Sequence, residues 1–430
     1  MSQDKDWETP YLSMPHWPTM LFEGREGTPL SRTRELLSRM GNPHQKLPPV
    51  IHVAGTNGKG STIAFLRAIF EAAGLKVHAY TSPHLHRFNE RILLAGRDID
   101  DTTLFTSIEA ARMAAGDMQV SFFEGTTAAA FYAFSNTPAD VLLIETGCGG
   151  RFDPTNVIEH PLLNIITTIS PDHMEILGES LAEIAWHKAG IMRPGVPCVI
   201  SFQAPESMEV LLREAETIGA VPCVYGAHWR VAKSEEGMRY ANADGTFAFP
   251  PPNLPGPHQL VNAGNAITAA TLLDFALTQE QVVHGVTHAK WPARLERITT
   301  GPRAQLLPEG WELWVDGGHN MAAGHTLAAH IEAEWSDKPT YVVFGTTQGK
   351  DVLSLLAPLA PQVNRIVGVP VISEPKSYSP QKLMELLAPT GCPIEPAESV
   401  EEALERLTQT ARGPARILVF GSLYLRVLVA

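Results

Sequence analysis

Apolar residues in this chain gather in short runs, each closed by glycine, proline or a polar cluster, with helical patterns between them. Val50, Ile51 and Val53 form the first strand-like run, and a helical pattern over 63–73 follows it. Further strands are expected at 76–80, 141–145, 162–169 and 197–201, and helices over 30–40, 103–116, 126–134 and 181–191. Near-continuous apolar strands alternating with helices are the pattern of a parallel sheet covered on both faces. Polar residues follow each run, which puts candidate site residues at the C-terminal edge of that sheet. From 224 to 249 shorter β segments predict an antiparallel patch, and a helix is expected over 258–277.

The rhythm then repeats on a smaller scale. Strands are expected at 311–316, 340–345, 365–371 and 415–420, and helices at 321–334, 351–358, 380–388 and 399–411. The fold class expected is α/β. Residues 1–296 would form a phosphate-loop domain with a mostly parallel doubly wound sheet and a small antiparallel patch. Residues 297–430 would form a smaller Rossmann-like α/β domain. Two such units facing each other across a cleft offer a common place for a ligand. Residues 1–30, with four prolines and the aromatics Trp7, Tyr11, Trp17 and Phe22, read as an irregular lead-in packed on the body. Trp7, Trp17 and Phe22 could stack on a planar ligand, although packing is the commoner use of such side chains.

The run VIHVAGTNGKGST, Val50 to Thr62, sets the chemistry. Strand, glycine-rich turn, lysine, hydroxyl and helix are the parts of a phosphate-binding loop. Backbone N–H groups close on phosphate oxygens, the helix N-terminus adds positive potential, and a hydroxyl can ligate Mg²⁺. The loop departs from the common spacing: Val53 stands where the first glycine usually lies, and Gly60 separates Lys59 from Ser61.

Composition narrows the picture. The chain has 430 residues, 44% hydrophobic and 18% charged, enough apolar material for ordinary cores. A formal net charge of -13 argues against nucleic acid or an anionic membrane as a general partner. Four dispersed cysteines, no apparent secretory leader and no apolar run long enough to span a bilayer fit a cytoplasmic protein, expected to be monomeric.

Other residues could carry chemistry. Glu145 ends the apolar strand DVLLIE beside the phosphate loop, where a Mg²⁺ ligand is needed. His173, in Ser170-Pro171-Asp172-His173, reads alone as an ordinary loop histidine; Asp172 and Glu145 shift it toward a metal or phosphate role. Lys188, in IAWHKAGI, reads alone as a solvated lysine on its long stem. Arg294 suits phosphate, and Asp316, at a strand end, a ribose or cation. His319 and Asn320 follow in a turn that could cap the next helix.

These runs together resemble the folylpolyglutamate synthase / dihydrofolate synthase family of the Mur ligase superfamily. The matching stretches are VAGTNGKGST, TSPHLHRFNERI, FFEGTTAAAF, ETGCGGRFDPTN, ISPDHMEILGESLAEIAWHKAGI, GPHQLVNAGNA, WPARLE, DGGHN and VFGSLY, in family order from residue 50 to near the C-terminus. The resemblance implies a MgATP-dependent amide ligase. It would phosphorylate the carboxylate of dihydropteroate, or of a folate glutamyl tail, and couple it to L-glutamate. ATP, two Mg²⁺ ions and a monovalent cation are the cofactors implied.

By motif, Asn57, Gly58, Lys59 and Gly60 would bind ATP phosphates, and Asn262, Arg294 and Asp316 would be further ATP contacts. Ser61, Ser82, Glu145 and His173 match metal positions. Phe123, Glu124, Phe152, Asp153 and Pro154 align with pterin or folate contacts. His319 and Ser422 would lie on the glutamate side. Lys59, Lys188, His173 and His319 are the implied catalytic group. Lys188 matches a lysine that the family carbamylates, which reverses the solvated reading. His187 stands where glutamate is common, Cys148 where leucine is usual and Pro154 where alanine is common; Gln348-Gly349-Lys350-Asp351 is a loose form of a motif of the second domain. The open alternatives are one activity instead of two, a Mur-type ligase acting on another carboxylate, a non-catalytic ATP-binding module, and a P-loop kinase or GTPase-like switch.

Overall fold

The structure, a computed structural model, describes residues 15–18, 29–410 and 413–429. Trp7, Tyr11 and Phe22 lie outside the described residues. The described chain divides into two compact units, one running to Asn253 and including Gln259–Lys290, the other holding Leu254–His258 and the chain from Trp291 onward.

The first unit is built on an eight-stranded sheet. Its strands are β1 Val50–Ala54, β2 Val77–Tyr80, β3 Ile92–Leu94, β4 Arg97–Asp98, β5 Val141–Glu145, β6 Leu163–Ile166, β7 Pro197–Ile200 and β8 Val221–Val224, in the order β4-β3-β2-β5-β1-β6-β7-β8. β2 pairs antiparallel with β3 and β3 with β4; the remaining ladders are parallel. Every residue of β1, β2, β5 and β6 is buried, as strands covered on both faces must be. Burying such a Val, Leu or Ile side chain contributes roughly 1.5–3 kcal/mol, so the apolar runs hold the sheet.

The helices accompanying it are α1 Pro29–Arg39, α2 Lys59–Ala72, α3 Asp101–Ala115, α4 Phe122–Ser135, α5 Met174–Leu177, α6 Leu181–Ala189, α7 Pro205–Ile218, α8 His258–Thr271 and α9 Gln279–His288; α9 packs on α2 where Gly285 meets Ile69, and α8 meets Trp229 and Val231 at Gly264. The antiparallel patch expected at 224–249 is a three-stranded sheet of β9 Arg230–Ser234, β10 Gly237–Asn242 and β11 Gly245–Phe249.

Several boundaries differ from the sequence reading. α2 begins at Lys59 rather than 63, because Gly58 takes a left-handed cap at φ 90 and lets the helix start inside the glycine loop. α4 begins at Phe122, where Ser121 and Glu124 form a capping box that the small-residue pattern hid. The helix expected over 258–277 stops at Thr271, and a separate α9 starts after the capping residue Thr278. α7 and the short strands β3, β4 and β8 were not anticipated; the strands are too short to show a period.

The second unit carries a six-stranded sheet of β12 Glu296–Ile298, β13 Glu312–Asp316, β14 Thr340–Phe344, β15 Arg365–Gly368, β16 Ile394–Pro396 and β17 Arg416–Phe420. The order is β12-β13-β17-β14-β15-β16, parallel except for β12. The short strands β12 and β16 also escaped the sequence reading.

Candidate active site

Two successive departures from regular backbone shape the phosphate loop. Gly55 leaves β1 at φ 151, and a Cβ there would lie 1.8 Å from Thr167 Oγ1. Gly58 caps α2, and a Cβ there would lie 2.3 Å from Asn262 Oδ1. Both positions therefore require glycine on steric grounds. The loop is tied to the turn after β6: Thr56 N and Asn57 N each donate to Thr168 O at 3.1 Å, and Asn57 Nδ2 donates to Ser170 Oγ at 3.1 Å.

Lys59 Nζ donates to Gly55 O at 3.0 Å and Thr56 O at 3.2 Å, and stands 3.7 Å from Glu145 Oε1. Glu145 is buried at the end of β5, and its Oε2 accepts Ser82 N at 3.3 Å. Parallel pairing sets this neighbourhood, since Val53 of β1 stands in register with Glu145. Ser61 is buried in the first turn of α2, where Gln259 Nε2 reaches its Oγ at 3.4 Å; Gln259 Oε1 accepts from Asn262 Nδ2 at 3.0 Å. Asn262 and Gln259 share one face of α8, three residues apart.

Lys188 overturns the solvated reading drawn from its residues alone. It is only 4% exposed, and its Nζ donates to Gly55 O at 2.9 Å. Burial, reinforced by Lys59, lowers its pKa to about 7. A large share of this amine is neutral near neutral pH, the state in which an amine can react with CO₂.

His173 is a left-handed cap at φ 50 before α5, 44% exposed at its side chain, with Nδ1 3.7 Å from Glu175 Oε1. The candidate substrate residues divide in two groups. Phe123 packs on Gly147, where a Cβ would lie 2.5 Å from its ring, and stacks on Tyr80. Phe152 is 45% exposed beside Trp186 and His187, and Pro154 opens a short 3-10 turn over Pro154–Val157. Glu124 and Asp153 are instead buried and engaged with protein partners. Glu124 accepts Ser121 N at 2.8 Å and Arg32 Nε at 3.0 Å; Asp153 accepts Cys148 N at 2.9 Å and Thr155 N at 3.0 Å. Trp17 and Pro18 lie against Gly125 of α4, a packing role.

In the second unit Asp316, buried at the end of β13, accepts Leu295 N at 2.9 Å and Gly318 N at 2.8 Å. Arg294 lies along Gly317, where a Cβ would be 2.9 Å from its Nη1. His319 Nδ1 is 3.1 Å from Gly317 O, while Asn320 caps the helix Met321–Glu334 through Ala323 N at 3.1 Å. Ser422 is buried, and its Oγ accepts Tyr424 N at 3.3 Å.

Comparison with known proteins decides the family. A model of the Mur ligase glutamate ligase domain matches residues 301–423. The dihydrofolate synthase/folylpolyglutamate synthase of Bacillus subtilis (strain 168) is 35% identical over 344 residues, covering 76% of this chain and 77% of its own. The protein of the same name from Escherichia coli (strain K12) is 30% identical over 399 residues, covering 92% and 89%. This chain belongs to the folylpolyglutamate synthase / dihydrofolate synthase family. It is an ATP-dependent ligase. A structure of E. coli FolC in complex with DHPP and ADP superposes with a TM-score of 0.84 at 28% identity, over 94% of this chain and 93% of that one. A bifunctional folylpolyglutamate synthase/dihydrofolate synthase solved with Mn, AMPPNP and L-glutamate bound gives a TM-score of 0.84 at 28% identity, over 99% and 98%.

For a family of ATP-dependent ligases, the donor set around the loop is chemically apt. Ser61, Ser82 and Glu145 offer hard oxygen donors with one carboxylate, which suits Mg²⁺ held largely by phosphates and water. Among the described residues no three His, Cys, Asp or Glu side chains gather into a metal cluster, so a protein-only cage is not formed. Three of the departures from the family pattern, all in the first unit, lie near one another in the chain's contacts: His187 sits beside Phe152, and Cys148 N bonds Asp153, the neighbour of Pro154. Sequence reasoning missed Gln259, although its spacing from Asn262 on a helix was available. It also missed His258, whose Nδ1 is buried and whose pKa is lowered to about 4, by burial first, with Asp316 and Arg294 acting on it in opposite directions. No helix among the described residues is long and apolar enough to cross a membrane.

Proposed function

We propose that this chain adds L-glutamate both to dihydropteroate and to the glutamyl tails of folates, using MgATP and an acyl-phosphate intermediate. The observation that carries this reading is the convergence of Lys59, Glu145 and Lys188 on the glycine loop, within a chain of this family. A carboxylate is a poor electrophile until one oxygen becomes a phosphate leaving group. Positioning and electrostatics supply most of that activation.

Asn57, Gly58 and Gly60, beside the N-terminus of α2, would bind ATP phosphates together with Lys59. Ser61, Ser82, Glu145 and His173 would hold the metal ions, two in this reading, with a monovalent cation nearby. When bound, Mg²⁺ supplies charge neutralisation for the phosphoryl group. Asn262, Arg294 and Asp316 would contact ATP. Phe123, Glu124, Phe152, Asp153 and Pro154 would meet the pterin or folate, and His319 and Ser422 the glutamate. Lys188 would act as a carbamate, an anion able to orient a cation that an ammonium would repel.

The test is phosphate release by purified protein with dihydropteroate and tetrahydrofolate side by side. Release is expected only when MgATP, L-glutamate and a pteroate or folate are all present. Activity with one of the two substrates alone reduces the reading to a single activity. Turnover of a peptidoglycan precursor and of neither pteroate nor folate overturns it.

A further inference from the structure

Buried in the middle of β1, His52 has one engaged ring nitrogen: Nε2 lies 2.9 Å from Thr155 Oγ1, and Nδ1 has no partner among the described residues. Thr155 Oγ1 is also bonded to Asp153 Oδ1, which accepts Thr155 N at 3.0 Å as well. Asp153 Oδ2 accepts Cys148 N at 2.9 Å.

Proton counting orders this chain. A hydroxyl has one proton to give, and an ionised carboxylate only accepts. Both Asp153 oxygens accept backbone N–H groups, Oδ1 from Thr155 and Oδ2 from Cys148, an arrangement that favours the ionised carboxylate and opposes the burial that pushes its pKa up. The Thr155 proton then goes to Asp153, and His52 donates its Nε2–H to the hydroxyl lone pair. Burial also holds His52 down to about 3, so the ring is neutral and Nδ1 bare. Asn164, in register with His52 on β6, likewise has an amide without a partner among the described residues. An apolar side chain at position 52 would avoid the cost of a half-satisfied imidazole inside a sheet.

We propose that His52 is a positioning residue for Asp153: as the neutral Nε2–H tautomer it orients the Thr155 hydroxyl, which with Thr155 N and Cys148 N fixes the carboxylate. The consequence for turnover rests on the reading of Asp153 as a substrate contact; the tautomer does not.

Two experiments test it. In ¹⁵N-histidine NMR spectra, with the His52 signal assigned by its loss in His52→Gln, the ring should show the neutral Nε2–H signature. An Nδ1–H tautomer or an imidazolium near neutral pH overturns the proposal. In steady-state assays, His52→Leu should raise the KM for dihydropteroate about tenfold, leaving kcat and the KM for ATP unchanged, and His52→Gln, which keeps an N–H donor, should restore it to within about threefold. A wild-type KM in His52→Leu, or a loss that glutamine does not restore, overturns it. If His52→Leu fails to fold, Thr155→Val carries the same expectation, and an unchanged KM there is equally fatal. Failure of the wild-type protein to use dihydropteroate or folate at all would instead sink the functional reading, and the NMR result would decide the tautomer.

Discussion

Lys59 and Lys188 donate to the same acceptor: the carbonyl oxygen of Gly55 takes the Nζ of Lys59 at 3.0 Å and that of Lys188 at 2.9 Å. One lysine arrives from the first turn of α2 and the other from α6. Two ammonium groups so close disfavour each other, and the buried one yields its proton more readily. Replacing Lys188 by alanine should lower kcat by at least about a hundredfold. Partial rescue by an added short carboxylate would support carbamylation. Unchanged turnover would remove Lys188 from the site.

The same lysine makes stability depend on pH. Its folded pKa, about 7, lies below the ordinary lysine value of 10.5, so between these values the unfolded chain holds a proton that the folded chain lacks. Stability therefore rises with pH across that window, and the charge-burial penalty is complete below about pH 7. In CO₂-free buffer, Lys188→Met should gain on the order of a few kcal/mol over wild type at about pH 6, shrinking toward about pH 10. Denaturant midpoints at several pH values measure it; a pH-independent difference would contradict the burial argument.

Gly58 permits both the left-handed cap and the approach of Asn262. Gly58→Ala places a Cβ 2.3 Å from Asn262 Oδ1 at φ 90. The backbone term alone should cost roughly 1–2 kcal/mol. The KM for ATP should rise with it, because the amides of the loop shift. Nucleotide titration of the folded variant would expose an unaltered loop.

Glu145 can be tested without disturbing its shape. Glu145→Gln keeps an acceptor for Ser82 N but removes the charge that faces Lys59 at 3.7 Å. The Mg²⁺ concentration for half-maximal activity should rise at least about tenfold, with little change in melting temperature. An unchanged Mg²⁺ requirement would argue against Glu145 as a metal ligand.

Asp316 has a structural duty besides its proposed ATP contact. It accepts Leu295 N and Gly318 N, and Leu295 itself is held at φ 44. Asp316→Ala leaves two donors unsatisfied near a buried position and should destabilise the chain by about 1–3 kcal/mol for each. Thermal unfolding with and without nucleotide separates the fold effect from the binding effect.

Much of this protein is written in local order. The buried runs of β1, β5 and β6, the glycine spacing of 55–60 and the small-scale repeat of strands after residue 310 were legible because their causes act within a few residues. Motif order carried the family, again without any contact. What the amino-acid order left open were relations between distant segments. Local pattern placed Lys188 in solvent, and only the docking of α6 beside the phosphate loop turned it toward Gly55, 133 residues away. Gln259 met Ser61 across 198 residues, and His52 met Thr155 across 103. Parallel strands need long crossovers, so residues brought together at a sheet edge come from far-apart segments. Periodicity determines which residues are buried; the packing of helices on the sheet decides which buried groups share an acceptor.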